Sequence, residues 1–160
     1  MAQAAIIING LPASGKTTLG TQLALLLGCP VLSADTVTDQ LGAMTGPMVT
    51  PAAVRGVAID TVWALARAVA DGVVVDGTLS PVDADAVRRG VASSGASRVI
   101  EIWCDVPEDV ARERHVELEI PFPENSGAAP LGFWPVVKVD TASTVDFDVL
   151  LPELASHLLA

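Results

Sequence analysis

The segment that most constrains the fold of this chain is residues 10–17, which read Gly-Leu-Pro-Ala-Ser-Gly-Lys-Thr. A short apolar run with three isoleucines precedes it at residues 4–9, and leucines recur at helical spacing over residues 15–27. A glycine-rich turn between a buried strand and a helix, followed by Lys and Thr, is typical of a phosphate-binding loop. Because the strand before such a loop is buried on both faces, the segment predicts a parallel sheet covered by helices.

The residue types in this loop indicate what it binds. Gly10 and Gly15 let successive backbone N–H groups turn inward around phosphates, and the helix that follows adds its positive end. Lys16 is expected to reach the β and γ phosphates, while Thr17 places its hydroxyl on Mg²⁺. No Asn/Thr-Lys-x-Asp motif for guanine is present. We therefore expect ATP with Mg²⁺, bound by the residues of the loop and the first helical turn: Gly10, Pro12, Ala13, Ser14, Gly15, Lys16, Thr17 and Thr18.

The remainder of the chain alternates apolar runs with helical patterns. The runs at 31–33, 73–76, 98–104 and 135–139 predict strands, and the patterns at 51–70, 81–92, 107–118 and 146–159 predict helices. A further helix is expected to open at 35–41, followed by a loop at 42–51. This order predicts a single α/β domain over 1–160, a P-loop NTPase three-layer sandwich with a five-stranded parallel sheet and helices on both faces. The Pro- and Gly-rich residues 120–133 predict a long loop, and with the preceding helix end a lid at about 112–134.

Two carboxylates follow predicted strands, at the edge of the sheet where such folds bind ligands. Asp76 ends the run Val-Val-Val-Asp, the position of a Walker B carboxylate that holds Mg²⁺ directly or through water. Its alternative is a turn former before Gly77. Asp35 follows the second strand, where it could accept a proton from a substrate hydroxyl, and its alternative is a helix N-cap.

Three arginines are candidates for the same site. Arg112 and Arg114 lie two apart at the end of the fourth main helix, so only one of them is expected to face the phosphates and stabilise transferred charge. Surface pairs with Glu108, Glu113 or Glu117 are the alternative. Arg55 is a candidate substrate residue on the helix that begins at Pro51, and its alternative is an ordinary exposed charge. We expect His115 on the surface, whereas Phe133 and Trp134 either line the pocket or belong to the core.

Composition restricts the partners of this chain. Its formal net charge of −10 and pI near 4.3 argue against a nucleic-acid partner or an anionic lipid surface. Charged residues interrupt every apolar run before it could span a membrane, and no basic segment precedes residues 4–8, so a cytoplasmic protein is expected. Cys29 and Cys104 are expected to be reduced thiols, and nothing in the sequence predicts more than a monomer or weak homodimer.

The order of these features resembles the small P-loop kinases of the AAA_33 type, which include polynucleotide 5′-kinases, zeta-toxin-like kinases, and chloramphenicol and gluconate kinases. The resemblance implies that Asp35 is the general base. Many members carry an Arg three residues after that Asp, where this chain has Thr38, and family lids carry spaced arginines, of which this chain has none after Arg114. The first departure argues against a nucleic-acid 5′ end as acceptor.

Together these features predict an ATP-dependent kinase that transfers the γ-phosphoryl group to a hydroxyl of a small molecule: a metabolite, a nucleoside or an antibiotic. Two alternatives stay open from the sequence. One is an NTPase switch, and the other is a nucleotide-binding module with little or no transferase activity.

Overall fold

A computed structural model describes residues 4–116, 122–123 and 126–159 of the chain. Its centre is a sheet of five parallel strands in the order β2-β3-β1-β4-β5. The strands are β1 (Ala4–Gly10), β2 (Val31–Ser33), β3 (Gly72–Gly77), β4 (Arg98–Asp105) and β5 (Val136–Asp140). The predicted fold class is confirmed, with the strand that precedes the phosphate-binding loop in the middle of the sheet.

Six α-helices lie in the described parts of the chain. They are α1 (Lys16–Leu27), α2 (Ala34–Thr45), α3 (Pro51–Ala66), α4 (Ala84–Ser94), α5 (Glu108–Val116) and α6 (Phe147–Leu159). Short 3₁₀ helices, Gly46–Met48 and Pro81–Asp83, precede α3 and α4. No helix in these parts is long and apolar enough to cross a membrane.

Side chains of the central strand alternate between two apolar layers, as the period of a β-strand requires. Ala5 and Ile7 belong to the cluster under α3 and α4, whereas Ile6 and Ile8 belong to the cluster under α1 and α6. Helix residues complete each layer: Ile59, Val62, Trp63, Val87 and Val91 on one side, and Leu19, Leu23, Leu150 and Leu154 on the other. Because both layers are filled, the ligand site is left to the edge of the sheet where the strands end.

Two helix boundaries differ from the sequence prediction. The expected loop at 42–51 is wrong over residues 42–45, because α2 continues past Gly42 to Thr45 and ends at Gly46, whose φ of 55° and ψ of −145° are not helical. Residues 46–50 form a short 3₁₀ turn and a connection to α3. Helix α3 ends at Ala66 instead of about residue 70, and tighter turns follow, with Ala68 N donating to Leu65 O and Val69 N to Ala66 O. Helix α2 continues through Gly42 because it packs along α3. The stabilisation from this packing is not included in local helix propensity.

Part of the predicted lid packs on the sheet. Ala129 N donates to Leu79 O at 3.2 Å, and the carboxylate of Glu101 on β4 accepts from Leu131 N at 2.8 Å and Gly132 N at 3.0 Å. Leu131 and Trp134 pack against the cluster under α3 and α4. Residues 117–121 and 124–125 of the predicted lid lie outside the described residues. The described part at 126–134 therefore covers β4 and is anchored to it.

Candidate active site

A cavity of about 1060 Å³ opens where β1, β2 and β3 end. It brings together most of the residues predicted for the site. Those that line it are Pro12, Ala13, Gly15, Lys16, Thr17, Thr18, Asp35 and Arg114. The connection between β5 and α6 closes its far side through Thr141, Ser143, Thr144, Val145 and Phe147.

The conformation of the loop at 10–17 includes backbone angles and close contacts that most residues do not tolerate. Gly15 has a φ of 93° and caps the N-terminus of α1, and Ala13 also has a positive φ, of 58°. A Cβ at Gly10 would lie 2.5 Å from Ser14 Oγ and 3.0 Å from Cys104 Cβ. Any side chain at Gly10 would therefore displace the loop from β4.

Lys16 lies almost buried at the base of the loop. It is 6% exposed, and its Nζ donates to Leu11 O at 2.8 Å. Burial lowers the pKa of Lys16, and the negative charges of Asp35 and Asp76 partly offset this effect. The ammonium group is thus held across the loop at the place where phosphates would enter.

Asp35 is held by three donors on two residues. Thr78 donates its backbone N–H to both carboxylate oxygens, at 3.1 and 2.9 Å, and its hydroxyl to Oδ2 at 2.9 Å. Arg55 NH1 donates to Oδ1 at 2.8 Å. Burial alone would raise the pKa of Asp35, but the charges of Lys16 and Arg55 and these hydrogen bonds outweigh it, and the pKa lies below its ordinary value. The N-cap alternative is wrong, because Ser33 Oγ caps α2 by accepting from Thr36 N.

Asp76 lies inside β3, beneath the loop, and is 1% exposed. Burial raises the pKa of Asp76, while hydrogen bonds from Ser33 and Thr17 and the charge of Lys16 oppose the rise. Its Oδ2 atom is buried without a hydrogen-bond partner among the described residues. A carboxylate oxygen aimed beside the Thr17 hydroxyl suits Mg²⁺, which prefers oxygen ligands and retains several waters. These two residues therefore fit the predicted metal.

Arg55 lies behind Asp35 and is mostly covered, with 19% of its side chain exposed. Besides Asp35, its NH2 donates to Thr78 O at 2.8 Å, and its Nε lies 3.6 Å from Asp83 Oδ1. The guanidinium thus joins the start of α2 to the end of β3. Its contacts fix the carboxylate rather than extend into the cavity.

The structure separates the two lid arginines. Arg114 lines the cavity next to Gly15, and its NH2 donates to Ala142 O at 3.2 Å. Arg112 does not line it: its Nε and NH2 donate to Glu108 Oε1 at 3.0 and 2.7 Å, and its guanidinium lies 4.5 Å from the centroid of Phe122. The pairing with Glu, predicted as the alternative, applies to Arg112.

Three aromatic or heteroaromatic side chains near the lid lie in different environments. His115 lines the cavity and is buried, so the expectation of a surface residue is wrong. Trp134 packs against the core. Phe133 is half exposed beneath the guanidinium of Arg88, 4.8 Å from its ring centroid. Neither Phe133 nor Trp134 lines the cavity.

A buried polar network behind the loop was missed by the sequence analysis. Asn9 Oδ1 accepts from Gly10 N at 2.8 Å and from Leu79 N at 2.9 Å, while its Nδ2 donates to Glu101 Oε1 and Ala129 O. Asn9 and Glu101 are fully buried. The network joins the first residue of the phosphate loop to the segment that holds Asp35. A lone carboxylate within the apolar run Val-Ile-Glu-Ile was the signal in the sequence.

Two threonines were also missed. Thr78 holds Asp35, and Thr141 Oγ1 donates to Ser14 O, which ties the phosphate loop to the end of β5. Ser33 on β2 pairs with Asp76 on β3, and this register brings together Asp35 and Thr78, which each lie two residues further along the chain. No sequence signal marks either threonine.

Comparisons with known proteins agree with this geometry. The profile of the AAA_33 family, described as an AAA domain, matches residues 6–119. No curated protein matches the sequence at a significant level.

Three solved structures illustrate the likeness in fold. A protein of Chloroflexus aurantiacus J-10-fl with a provisional kinase assignment is 23% identical, with a TM-score of 0.76 and coverage of 99% of this chain and 98% of that one. A gluconokinase of Sinorhizobium meliloti 1021 is 18% identical, with a TM-score of 0.65 and coverage of 98% and 92%. The APS kinase of Mycobacterium tuberculosis, in complex with AMPPNP and APS, is 20% identical, with a TM-score of 0.65 and 98% coverage of both chains. At these identities the likeness establishes the fold alone.

Proposed function

Since the chain belongs to the AAA_33 family, we propose that it is an ATP-dependent kinase that transfers the γ-phosphoryl group to a hydroxyl of a small molecule. One observation carries the proposal: the ionised carboxylate of Asp35 and the buried ammonium of Lys16 line the same cavity. A phosphate on Lys16 and a hydroxyl on Asp35 would then be neighbours. Positioning of this kind supplies most of the catalysis in phosphoryl transfer.

The phosphate half of the site would act through charge. The N–H groups of the loop and the N-terminus of α1 face incoming phosphates, and Lys16 adds a cation in a largely dry position. Thr17 and Asp76 would hold Mg²⁺, directly or through water. When bound, the ion neutralises charge on the phosphate oxygens. Arg114 would contact the nucleotide from the side of the connection between β5 and α6.

Asp35 would orient the acceptor and take its proton. A carboxylate has about four acceptor positions, and Arg55 and Thr78 use all four with three donors, because the Thr78 N–H is shared by both oxygens. A substrate hydroxyl would replace the longer, 3.1 Å arm of that shared bond. Because its pKa is lowered, Asp35 is ionised at neutral pH and ready to accept. Through its NH1 group, Arg55 holds the Oδ1 atom of this carboxylate. Arg55 is thus a positioning residue in this proposal, and Arg112 has no contact with the reacting groups.

The acceptor is proposed to be a small molecule because the site is a cavity of about 1060 Å³ in a strongly acidic protein. The names of two similar structures, a gluconokinase and an APS kinase, support the same class. The acidic surface does not favour a polynucleotide, which would need a basic track for its phosphates.

The first test is transfer from γ-labelled Mg-ATP to a panel of nucleosides, sugars, antibiotics and 5′-hydroxyl oligonucleotides, with Lys16→Ala as the blank. We expect labelled product from at least one small molecule. Labelled phosphate alone, with no labelled acceptor, would favour an NTPase switch over a kinase.

The second test is Asp35→Asn, which keeps the shape of the side chain and removes the base. A kinase should lose about 10²–10⁴-fold in kcat while its Kd for Mg-ATP changes little. Asp60→Asn, at an exposed carboxylate on α3, is the matched control and should keep its activity. Unchanged transfer by Asp35→Asn would contradict the role of Asp35.

A further inference from the structure

The positions of the cationic side chains limit what the acceptor side of the cavity can bind. The sequence has nine Lys and Arg residues, and all nine lie within the described ranges. Five of them are remote from the cavity or paired outside it: Arg67 and Arg89 in a groove between α3 and α4, Arg88 over Phe133, Arg98 at the opposite edge of the sheet, and Arg112 on Glu108. Lys138 is exposed on the edge strand β5. Only Lys16, Arg55 and Arg114 are left near the site.

Each of these three cations lies on the nucleotide side of the cavity or is already paired with carboxylates. Lys16 lies in the phosphate loop, and Arg114 lies beside Gly15 and the connection that follows β5, both on the nucleotide side. Arg55 is on the acceptor side, but its guanidinium is bonded to Asp35 and Thr78 O and lies near Asp83. Two carboxylates around one guanidinium leave no positive charge there for a substrate anion.

The neighbouring segments add only negative charge. Asp39, one turn after Asp35 on α2, is exposed, lines the same cavity and has no hydrogen-bond partner among the described residues. From residue 34 to 54 and from residue 115 to 137 the sequence contains no Lys or Arg. Thr38, between Asp35 and Asp39 on α2, is neutral, and its hydroxyl donates to Ala34 O.

From this distribution we infer that the acceptor is a neutral or cationic hydroxyl compound, and that acceptors bearing a carboxylate or phosphate are rejected. The inference rests on the proposed kinase activity. The reaction adds the γ-phosphoryl group to the acceptor oxygen, leaves ADP, and passes the hydroxyl proton to Asp35. An anion placed at that oxygen would meet Asp35 and Asp39, while Lys16 and Arg114 lie on the nucleotide side and Arg55 is already shared by two carboxylates. A juxtaposition of like charges is a strong means of excluding substrates.

The test compares hydroxyl compounds that differ in charge. Matched sets such as glucosamine, glucose and gluconate, or uridine and uridine 3′-monophosphate, are offered with Mg-ATP, and kcat/KM is measured for each member. Binding of the same members to the protein loaded with Mg-AMPPNP is measured separately. We expect the neutral or cationic member to exceed its anionic counterpart by about tenfold or more in kcat/KM and affinity. Equal kcat/KM and equal affinity for the two members overturn the inference, and so does the absence of transfer and of binding for both members.

The binding arm separates this inference from the kinase proposal. Preferential binding of neutral or cationic members without transfer would contradict the kinase and support the charge selection. Transfer to an anionic acceptor as efficient as to its neutral counterpart would support the kinase and contradict the selection.

A charge-reversal pair tests the local cause. Asp39→Lys should raise the ratio of kcat/KM for the anionic member to kcat/KM for the neutral member by about tenfold. Asp60→Lys makes the same change in net charge on α3, away from the cavity, and should leave that ratio unchanged. If both variants shift the ratio equally, the selection does not arise at Asp39 and Asp35.

Discussion

Two aspartates, 41 positions apart in the sequence, show how the environment of a residue changes the chemistry of its side chain. Asp35 and Asp76 both lie at the end of the sheet near Lys16, yet their pKa values move in opposite directions. Cations and donors surround Asp35 and keep it ionised, whereas burial dominates at Asp76. Burial also raises the pKa of Cys104, to about 11, which keeps that thiol protonated at neutral pH. The sequence shows the two carboxylates, and only their neighbours give them different pKa values, on which the proposed roles of proton acceptor and metal ligand depend.

Arg55→Gln is predicted to change the pH dependence of transfer. Without the guanidinium the pKa of Asp35 rises, so the acid limb of kcat/KM moves to higher pH, and activity near neutral pH falls by about tenfold or less. Arg55→Lys keeps the charge and should leave the limb close to its original position. Arg67→Gln, at the exposed arginine that follows the last residue of α3, is the control. A limb at the same pH in Arg55→Gln and in the unmodified protein would contradict this coupling.

Asp76→Asn is predicted to stabilise the protein without ligands while weakening Mg²⁺ binding by about 10–100-fold or more. The raised pKa means that the ionised form destabilises the fold, a cost that is absent below the pKa of the unfolded chain and complete above that of the folded one. The gain in the free energy of unfolding should therefore be present at neutral pH and vanish in acid. Urea denaturation at both pH values measures it. A variant that is less stable at neutral pH would contradict the prediction.

At the scale of elements, the apolar runs were sufficient to predict all five strands. A buried strand in a parallel sheet is apolar on both sides, as β1 and β3 are, whereas the edge strand β5 buries only Val137 and Val139, on one face. Helix ends were less predictable, because α2 continues through Gly42 by packing along α3. The described part of the predicted lid is fixed by Glu101, a contact between residues 30 positions apart that no local pattern contains.

Glycines in two neighbouring helices provide a matched test of this packing. At Gly90 on α4 an added Cβ would collide with the side chain of Trp63 on α3, whereas at Gly56 on α3 it would meet no atom within 4 Å. Gly90→Ala should lower the free energy of unfolding by about 1–3 kcal/mol. Gly56→Ala should raise it by about 0.5–1 kcal/mol. Thermal or urea denaturation measures both changes. Equal changes in the free energy of unfolding for the two substitutions would contradict the contact between α3 and α4.

At the scale of the whole molecule, the site depends on segments that are distant in sequence. The loop after β1, the start of α2, the end of β3, α5 and the connection after β5 all contribute to one cavity. The network of Asn9 and Glu101 and the bond from Thr141 to Ser14 O join these segments to one another. A ligand that bridges them should therefore stabilise the whole fold.

Mg-ATP is predicted to raise the melting temperature of the protein. At a ligand concentration of about 100 Kd the gain is about 2.7 kcal/mol, and for a chain of this size each kcal/mol corresponds to about 2–4 °C. Lys16→Ala should lose most of the shift, because its phosphate cation is missing. A shift of equal size in both proteins would place nucleotide binding elsewhere.

The sequence was sufficient to predict the phosphate loop, the alternation of strands and helices, and the carboxylates at the strand ends, because each of these is a property of neighbouring residues. The three-dimensional fold was needed to show which arginine faces the cavity, that Arg55 holds Asp35, and that Thr78, Asn9, Glu101 and Thr141 support the site. These contacts join residues far apart in the chain, and their geometry follows from the order β2-β3-β1-β4-β5 of the sheet. Local sequence preferences do not specify the order of the strands in the sheet. The contacts that support the site can therefore be seen only once the strands have been placed side by side.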